Sequence, residues 1–188
     1  MIVMKNAKWV LICISLLIVS ILAFTQAKQP LRVVPNLDSA QYAGEWYELA
    51  RIPNRYQKRC AGEVIARYTP RPDGTITVFN RCNLQDGKQI QVEGVARFAG
   101  KGQPNSVLKV RFAPAWLSFI PQVWGDYQVI ALSPDYTHAV VGDPDRKYLW
   151  ILSRTPVLDN ETYLQLVEEA RSQKFDVSLL QKTRQLQK

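Results

Sequence analysis

The chain has 188 residues, of which 47% are hydrophobic and 21% are charged; this length and composition exclude a disordered or fibrous protein and allow one sizeable hydrophobic core. Its net charge is +8 at pH 7, but the basic residues are scattered and form no nucleic-acid-binding motif, so we expect no nucleic-acid partner. An anionic ligand or a membrane surface would use this charge; a merely solvated surface is the simpler alternative.

The N-terminus has the three parts of a secretory signal peptide. Two lysines come first, Trp9–Phe24 is apolar apart from two serines and Cys13, and Thr25 and Ala27 are the small residues expected before a cleavage site. We therefore predict a cleaved signal peptide over residues 1–27 and one domain over residues 28–188. The alternative is an uncleaved anchor, but the apolar run is shorter than the roughly 18 residues of a spanning helix.

Cys13 does not indicate a lipid anchor. The residue before it is Ile12, whereas a small residue is expected immediately before a lipidated cysteine, and Cys13 lies in the middle of the apolar run. We therefore expect secretion without lipidation.

Cys60 and Cys82 are the two cysteines that follow the predicted cleavage site. In an oxidising compartment, an even pair of cysteines predicts a disulfide. The two lie at unequal distances from the Asp73-Gly74 turn, so Cys60 has to fold back from its loop to reach Cys82. Two free thiols are the alternative.

Short strand-like runs dominate the middle of the chain. Asp38 is placed to cap a helical turn that Gly44 ends, and the Pro-Arg-Pro-Asp-Gly sequence at 70–74 is typical of a hairpin. The eight predicted strands are Trp46–Arg51, Val64–Thr69, Thr75–Cys82, Gln89–Phe98, Val107–Phe112, Tyr127–Leu132, His138–Val141 and Tyr148–Leu152. No helical pattern separates them, which favours an antiparallel sandwich or a closed barrel.

One amphipathic helix follows the strands. Asp159 or Asn160 is placed to cap it, and Glu161 lies in its first turn. Its apolar stripe at helical spacing consists of Tyr163, Leu164, Val167 and Ala170. We predict that this helix packs against the outside of the sheet.

Three motifs resemble the conserved regions of the lipocalin family. Gly44-Glu45-Trp46 is similar to the Gly-x-Trp signature, Gly125-Asp126-Tyr127 to the second region, and Trp150-Ile151-Leu152-Ser153-Arg154 to the third. The longer strings WYELARIP, YQVIAL and YLWILSRTP most resemble the bacterial outer-membrane lipocalins, which are kin of apolipoprotein D. The resemblance covers residues 36–180.

This resemblance implies an all-β fold, an eight-stranded antiparallel up-and-down barrel with one C-terminal α-helix packed outside. Such a barrel is just wide enough to hold one small ligand. In the family the basic residue of the third motif lies over the tryptophan of the first, so Gly44, Trp46 and Arg154 are predicted to close one end through a cation–π contact, a structural role. The resemblance also implies a location in the periplasm or at the outer membrane, and a role in lipid storage or transport.

Alternate loops of an up-and-down barrel share one end, so the loops after the first, third, fifth and seventh strands are expected to rim an open mouth. Basic residues are frequent there, and an anionic head group would be attracted to them. The predicted head-group residues are Arg51, Arg55, Lys58 and Arg59, with Lys88, Arg146 and Lys147 farther along the rim. A solvated surface is the alternative.

The loop after the fifth strand carries more apolar side chains than an ordinary surface loop. These residues are Trp116, Leu117, Phe119, Ile120 and Trp124. They are candidates for a lid over the ligand, for a peripheral membrane contact or for a homodimer contact. Packing against the lip of the barrel, without a further role, is the fourth alternative.

Alternation along the strands predicts which side chains line the lumen. The candidates are Ala66, Tyr68, Val78, Asn80, Phe98, Val110, Phe112, Tyr127, Val129 and Trp150. A bulge of one residue would exchange the inward and outward faces beyond it. Because few of these side chains are polar, we expect a fatty acid, a lysophospholipid or a similar amphiphile rather than a heavily hydroxylated ligand.

The sequence offers little catalytic chemistry. His138 is the only histidine and adjoins no serine or cysteine motif, so we expect no catalytic residue, no metal site and no cofactor. One exception is a thiol-dependent lipocalin enzyme, since a free Cys60 beside Lys58 and Arg59 would have a lowered pKa. Two further alternatives are a protein that binds a tetrapyrrole or another pigment, and a structural envelope protein with a filled barrel.

Overall fold

A computed structural model describes residues 29–186, and the predicted signal peptide lies outside the described residues. Eight strands follow one another in the order of the chain: β1 (Gly44–Arg51), β2 (Gly62–Pro70), β3 (Ile76–Asn83), β4 (Gln89–Phe98), β5 (Val107–Arg111), β6 (Gly125–Leu132), β7 (His138–Gly142) and β8 (Leu149–Ser153). Each pairs antiparallel with the next, and β8 pairs with β1. The sheet closes on itself, which confirms the predicted barrel.

Two apolar layers hold the barrel together. Inside it, the fully buried Trp46 and Val129 belong to one cluster that contains residues from each of the eight strands. Outside it, Ile151 and Val140 pack with Ala170 and other residues of the C-terminal helix. Successive residues of a strand point to opposite faces, so β1, β6, β7 and β8 contribute to both layers.

Side-chain caps begin both helices. In α1 (Ser39–Tyr42) the carboxylate of Asp38 accepts hydrogen bonds from the backbone N–H groups of Ala40 and Gln41. In α2 (Asn160–Ser172) Asp159 caps by accepting from the N–H of Thr162. A side-chain acceptor at this position satisfies donors that have no partner within the helix.

The predicted apolar stripe of α2 is wrong at one position. Leu164 is 54% exposed, whereas Leu166 is buried and packs on the barrel with Ala170. Residues three and four apart share a helix face. Leu166 and Val167 therefore lie on the face of Tyr163 and Ala170, and Leu164 is rotated away from it.

A ninth strand, β9 (Gln181–Lys182), was not expected from the sequence. Strands β1 and β2 pair with each other only over Gly44–Tyr47. Beyond that, the C-terminal segment lies between them: the N–H of Thr183 donates to the carbonyl of Leu49 and the N–H of Glu63 to that of Arg184, both at 2.8 Å. The C-terminus thus completes the barrel wall where two strands separate.

Gly62 permits this insertion. A Cβ atom at that position would lie 2.8 Å from the carbonyl oxygen of Arg184, closer than real Cβ contacts allow. A side chain there would push the C-terminal segment out of the wall.

Candidate ligand-binding site

Arg154 holds the closed end of the barrel. Its guanidinium carbon lies 3.9 Å from the centroid of the Trp46 ring. Its N–H groups donate to four backbone carbonyls, those of Gln41, Ala43 and Glu45 at 2.8 Å and that of Tyr136 at 3.2 Å. Burial lowers the pKa of Arg154 from its ordinary value. The side chain ties the N-terminal segment, β1 and the β6–β7 turn together.

Gly44 leaves room for that guanidinium. Its φ is +92°, a conformation that favours glycine, and a Cβ there would lie 3.3 Å from Nη1 of Arg154. Of the three predicted closed-end residues, each therefore contacts another.

The structure places all ten predicted lumen residues on the inward face of the barrel. Directly paired residues share a face, and the pairs Tyr68–Val78, Ala66–Asn80 and Val129–Val141 connect to the interior cluster. Bulges occur in β1, β2 and β6. None of these bulges moves a predicted lumen residue to the outer face.

Accessibility divides the lumen into two halves. Near the mouth, the inward residues Val92 and Phe112 are 45% and 41% exposed. Trp46 and Val129 lie toward the closed end, which we call the floor, and are fully buried. Phe98 also faces inward, but it ends β4 at the closed end, away from the mouth. The accessible part of the lumen is therefore its mouth half.

Alternation did not identify several residues of the interior. Leu37 and Tyr42 belong to the buried interior cluster but come from the N-terminal segment, where no strand pattern exists. Val92 and Leu108 were omitted although their strands alternate. The spacing of Glu48, two residues after Trp46 in β1, was the available signal that this acidic residue faces inward.

Three tyrosine hydroxyls meet near the floor. The hydroxyl oxygen of Tyr127 lies 2.8 Å from that of Tyr42 and 2.9 Å from that of Tyr68. Burial raises the pKa of Tyr68 to about 12 and those of Tyr42 and Tyr127 well above their ordinary value. All three therefore stay neutral in the physiological range. We call Tyr42, Tyr68 and Tyr127 the tyrosine cluster.

Asn80 is a second polar group on the inward face. Its Oδ1 atom is buried and has no hydrogen-bond partner among the described residues. Asn80 pairs with Ala66 and lies two residues closer to the mouth than Val78. A buried acceptor without a donor is unfavourable, so this oxygen is suited to a water or to a ligand donor.

A buried ion pair occupies the mouth end of β1. Glu48 and Arg51 are 2.5 Å apart, and their side chains are only 4% and 14% exposed. The carboxylate of Glu48 also accepts from Gln57 Nε2 and Thr183 Oγ1, and Arg51 donates to the carbonyl of Cys60. The charge of Arg51, a predicted head-group residue, is thus already neutralised.

The same network fastens the β1–β2 loop to the barrel. Gln57 Oε1 accepts from the indole Nε1 of Trp150 and from Asn54 Nδ2, both at 2.8 Å. The rings of Trp150, Tyr148 and Tyr56 follow one another toward the solvent, with neighbouring centroids 6.0 and 5.8 Å apart. One side of the mouth is therefore aromatic.

Three of the predicted basic residues remain accessible at the mouth. Arg55, Lys58 and Arg59 are exposed, and within residues 29–186 none of them forms an ion pair. Arg55 donates a hydrogen bond to the hydroxyl of Tyr56, and its guanidinium also lies over the Tyr56 ring. Farther along the rim, Lys88 and Lys147 pair with Asp86 and Asp145, and Arg146 donates to the carbonyls of Gln173 and Pro144.

The β5–β6 loop separates into exposed and packed residues. Trp116 and Phe119 are 73% and 77% exposed, while Leu117 and Ile120 are half-buried. Trp124 lies between Arg97 and Arg111, whose guanidinium carbons are 4.0 and 5.2 Å from its ring centroid. Trp124 therefore belongs to the wall, and neither Trp116 nor Phe119 is packed over the lumen as a lid.

The predicted disulfide is confirmed: Cys60 and Cys82 are bonded, with Cα atoms 5.6 Å apart. Cys60 lies near the end of the β1–β2 loop. Cys82 lies on the inward face of β3 and is 3% exposed. The bond leaves no thiol at Cys60, the nucleophile that the enzymatic alternative required.

Replacing both cysteines by alanine should lower the free energy of unfolding by about 3 kcal/mol, because the bridge closes a loop of 22 residues and restricts the unfolded chain. Urea unfolding of the Cys60→Ala, Cys82→Ala variant measures this loss. Wild-type protein unfolded under reducing conditions should show the same loss. An unchanged unfolding midpoint would contradict the prediction.

Across residues 29–186, no three His, Cys, Asp or Glu side chains are grouped as a metal site. His138 is half-buried at the closed end, where its Nδ1 lies 3.1 Å from the hydroxyl of Thr137. No helix in the same range has the length and hydropathy to cross a membrane.

Comparison with known proteins agrees with this architecture. A family model described as a lipocalin-like domain matches residues 37–185. Temperature-induced lipocalin-1 of Arabidopsis thaliana is 45% identical over 159 residues, which cover 84% of each chain. Outer membrane lipoprotein Blc of Escherichia coli (strain K12) is 42% identical over 147 residues, 78% of each. Apolipoprotein D of Rattus norvegicus is 32% identical over 159 residues, 78% of this chain and 76% of that protein.

Proposed function

This chain belongs to the lipocalin family, whose members bind small hydrophobic ligands, and on that premise we propose that it binds a fatty acid, a lysophospholipid or a similar amphiphile in its barrel. The observation that carries the proposal is the apolar inward face, which is accessible at Val92 and Phe112 and buried toward the floor. An acyl chain entering from the mouth gains about 25 cal/mol for each Å² of apolar surface removed from water.

Native mass spectrometry of the protein purified without detergent tests this proposal. We expect a bound mass that is released by denaturing extraction and identified as an acyl lipid. A bound species with visible absorption would instead support a pigment carrier. A protein that carries nothing and does not bind added hexadecanoate would overturn the proposal.

A filled barrel with a structural role is the second candidate. One observation favours it: the cavity beside the tyrosine cluster measures only about 20 Å³, enough for about one water molecule. In the proposed function, the acyl chain of the ligand occupies the mouth half of the lumen, and only the end of that acyl chain reaches the floor.

We also propose that the protein works in the cell envelope, storing or transporting its ligand. The support is the predicted signal peptide together with the similarity to proteins named outer membrane lipoprotein Blc. The word lipoprotein in that name indicates a lipid anchor in that protein. In this sequence, Ile12 precedes Cys13, whereas a small residue is expected before a lipidated cysteine. The mass of the mature N-terminus separates cleavage after Ala27 from lipidation.

The proposed activity is binding without catalysis. The support is the disulfide of Cys60, which removes the nucleophile of the thiol-dependent alternative. His138, the only histidine of the sequence, lies at the closed end, away from the accessible lumen.

The accessible basic residues are proposed to select anionic head groups. Replacing Arg55, Lys58 and Arg59 together by glutamate should weaken the binding of hexadecanoate roughly fivefold more than that of a neutral monoacylglycerol at low salt, because only the first is attracted by the exposed charges. Fluorescence competition measures both affinities.

Reversal of Arg71 and Lys101, which are exposed on closed-end loops, is the control and should leave the ratio of the two affinities unchanged. If the mouth variant weakens both ligands equally, the basic mouth has no role in selection.

Trp116 and Phe119, which lie at the same end of the barrel as the basic residues of the mouth, are proposed to insert into an anionic lipid surface. The double change Trp116→Ser, Phe119→Ser should reduce binding to vesicles that contain phosphatidylglycerol by about tenfold, since two exposed aromatic side chains lose their apolar contact. Vesicle sedimentation measures it, and the exposed Leu164→Ser on α2 is the control. Unchanged sedimentation with a loss of dimer would instead assign the loop to a homodimer.

A further inference from the structure

The tyrosine cluster is an unusual feature of a largely apolar floor. Tyr42 comes from α1, Tyr68 from β2 and Tyr127 from β6, and 85 and 59 residues of chain separate the bonded pairs. The other residues around the same pocket are Leu37, Ser39, Ile76, Ala96, Leu108 and Val110, of which only Ser39 is polar. Three elements that are distant in sequence therefore direct hydroxyl groups to one point inside the barrel.

The hydrogen bonds of the cluster leave one donor unused. Three hydroxyls carry three protons, and the two contacts that Tyr127 makes with Tyr42 and Tyr68 consume two of them. The third proton has no acceptor within the cluster. A buried donor without an acceptor costs free energy, so a further oxygen atom is favoured beside these hydroxyls.

Space for that oxygen lies next to the cluster. All three tyrosines line a small cavity of about 20 Å³, which holds about one water molecule or an atom group of similar size. The cavity also contacts Val110, which is paired directly with Gly125 at the mouth end of β6. A chain that enters through the mouth would thus reach the hydroxyls with its far end.

We propose that the tyrosine cluster binds one oxygen atom at the buried end of the ligand, so that the ligand is an acyl amphiphile with a hydroxyl or carbonyl group at the end remote from its head group. This inference rests on the proposed function, because it requires an acyl chain in the lumen. A terminal methyl group would leave the spare tyrosine donor unsatisfied, whereas a terminal oxygen accepts its proton.

Asn80 supports an oxygenated ligand independently. Its Oδ1 is a buried acceptor without a donor, and it lies on the same inward face as Tyr68 because its partner Ala66 is two residues from Tyr68 in β2. The floor therefore offers a spare donor and the lumen above it a spare acceptor. Hydroxyl groups satisfy both kinds of site, and a plain hydrocarbon chain satisfies neither.

Hexadecanoate and its omega-hydroxy derivative are the matched probes. Both have the same carboxylate and the same chain length, so their interactions with the mouth residues should be equal. They differ only at the end that is buried in the lumen. We expect wild-type protein to bind the omega-hydroxy acid at least as tightly as hexadecanoate. In the variant Tyr42→Phe, Tyr68→Phe, Tyr127→Phe, the omega-hydroxy acid should lose at least roughly tenfold in affinity relative to hexadecanoate.

The triple variant removes all partners together, so no hydroxyl is left unsatisfied and the packing volume is nearly kept. Tyr56→Phe, at the exposed mouth, is the control and should leave the ratio of affinities unchanged. Thermal unfolding checks that the variants are folded.

Two results would overturn the inference. The first is that wild-type protein binds the omega-hydroxy acid more than tenfold more weakly than hexadecanoate, a result that needs no variant. The second is that the triple variant changes the affinities for the two probes by the same factor. In either case both probes still bind, and the proposed function stands. Failure of wild-type protein to bind both probes would overturn the inference and the proposed function together.

Discussion

Arg154→Ala should lower the free energy of unfolding by about 4 kcal/mol, among the largest losses for a single substitution. The change removes four charge-assisted hydrogen bonds to backbone carbonyls and the cation–π contact with Trp46. The lost stability arises at the floor, and Arg154 is not proposed to contact the ligand. Urea unfolding measures it, and the ranking of ligand affinities should be unchanged.

Arg154→Lys is the control for charge alone. Lysine keeps the positive charge over Trp46 but cannot direct donors at four carbonyls at once, so we expect an intermediate stability. A variant of unchanged melting temperature that selectively loses ligand binding would refute the structural role.

Glu48→Ala should lower the free energy of unfolding by about 3 kcal/mol, because it leaves the poorly exposed Arg51 without its carboxylate. Gln57 and Thr183 lose an acceptor in the same step. The substitution should also raise the affinity for hexadecanoate relative to a neutral monoacylglycerol, since an uncompensated guanidinium then lies on the inward face at the mouth end of β1.

The double change Glu48→Leu, Arg51→Leu separates these effects. Replacing both members of a buried pair by apolar residues is often neutral or stabilising, so most of the lost stability should return and the gain in anion affinity should disappear. Urea unfolding and fluorescence competition measure the two quantities. If the double variant is no more stable than Glu48→Ala, the loss did not arise from the unpaired charge of Arg51.

These predictions concern the two ends of the barrel separately. At the floor, Arg154 donates to four backbone carbonyls, and the tyrosine cluster lies nearby. At the mouth, Glu48 neutralises Arg51, and the disulfide of Cys60 holds the β1–β2 loop. The exposed charges that remain at that loop, Arg55, Lys58 and Arg59, are the ones suited to a head group in solution.

The strands were predictable because their signals are local. Alternation over a few residues places a side chain on one face, and turns such as that at 70–74 separate one run from the next. Gln89–Phe98 agrees at both ends with β4, and the caps Asp38 and Asp159 act on residues within a turn of themselves. The same alternation put the ten lumen candidates on the inward face.

The stripe of α2 was less accurate for a related reason. Leu164 and Leu166 are both apolar and lie one residue to either side of Gln165, so composition alone did not distinguish them. The face that packs is decided by the surface that the barrel presents, and it is Leu166 that contacts this surface.

By itself, the sequence determined the order of the strands, the two capped helices, the family motifs and the pair of cysteines, because each depends on neighbours in the chain or on few residue types. Only the tertiary structure decided that Thr183 reaches Glu48 across 135 residues, that Tyr127 joins Tyr42 and Tyr68, and that the C-terminus completes the wall beside Gly62. Those contacts depend on the register and bulges of a closed sheet, which bring distant residues together and which no local pattern encodes.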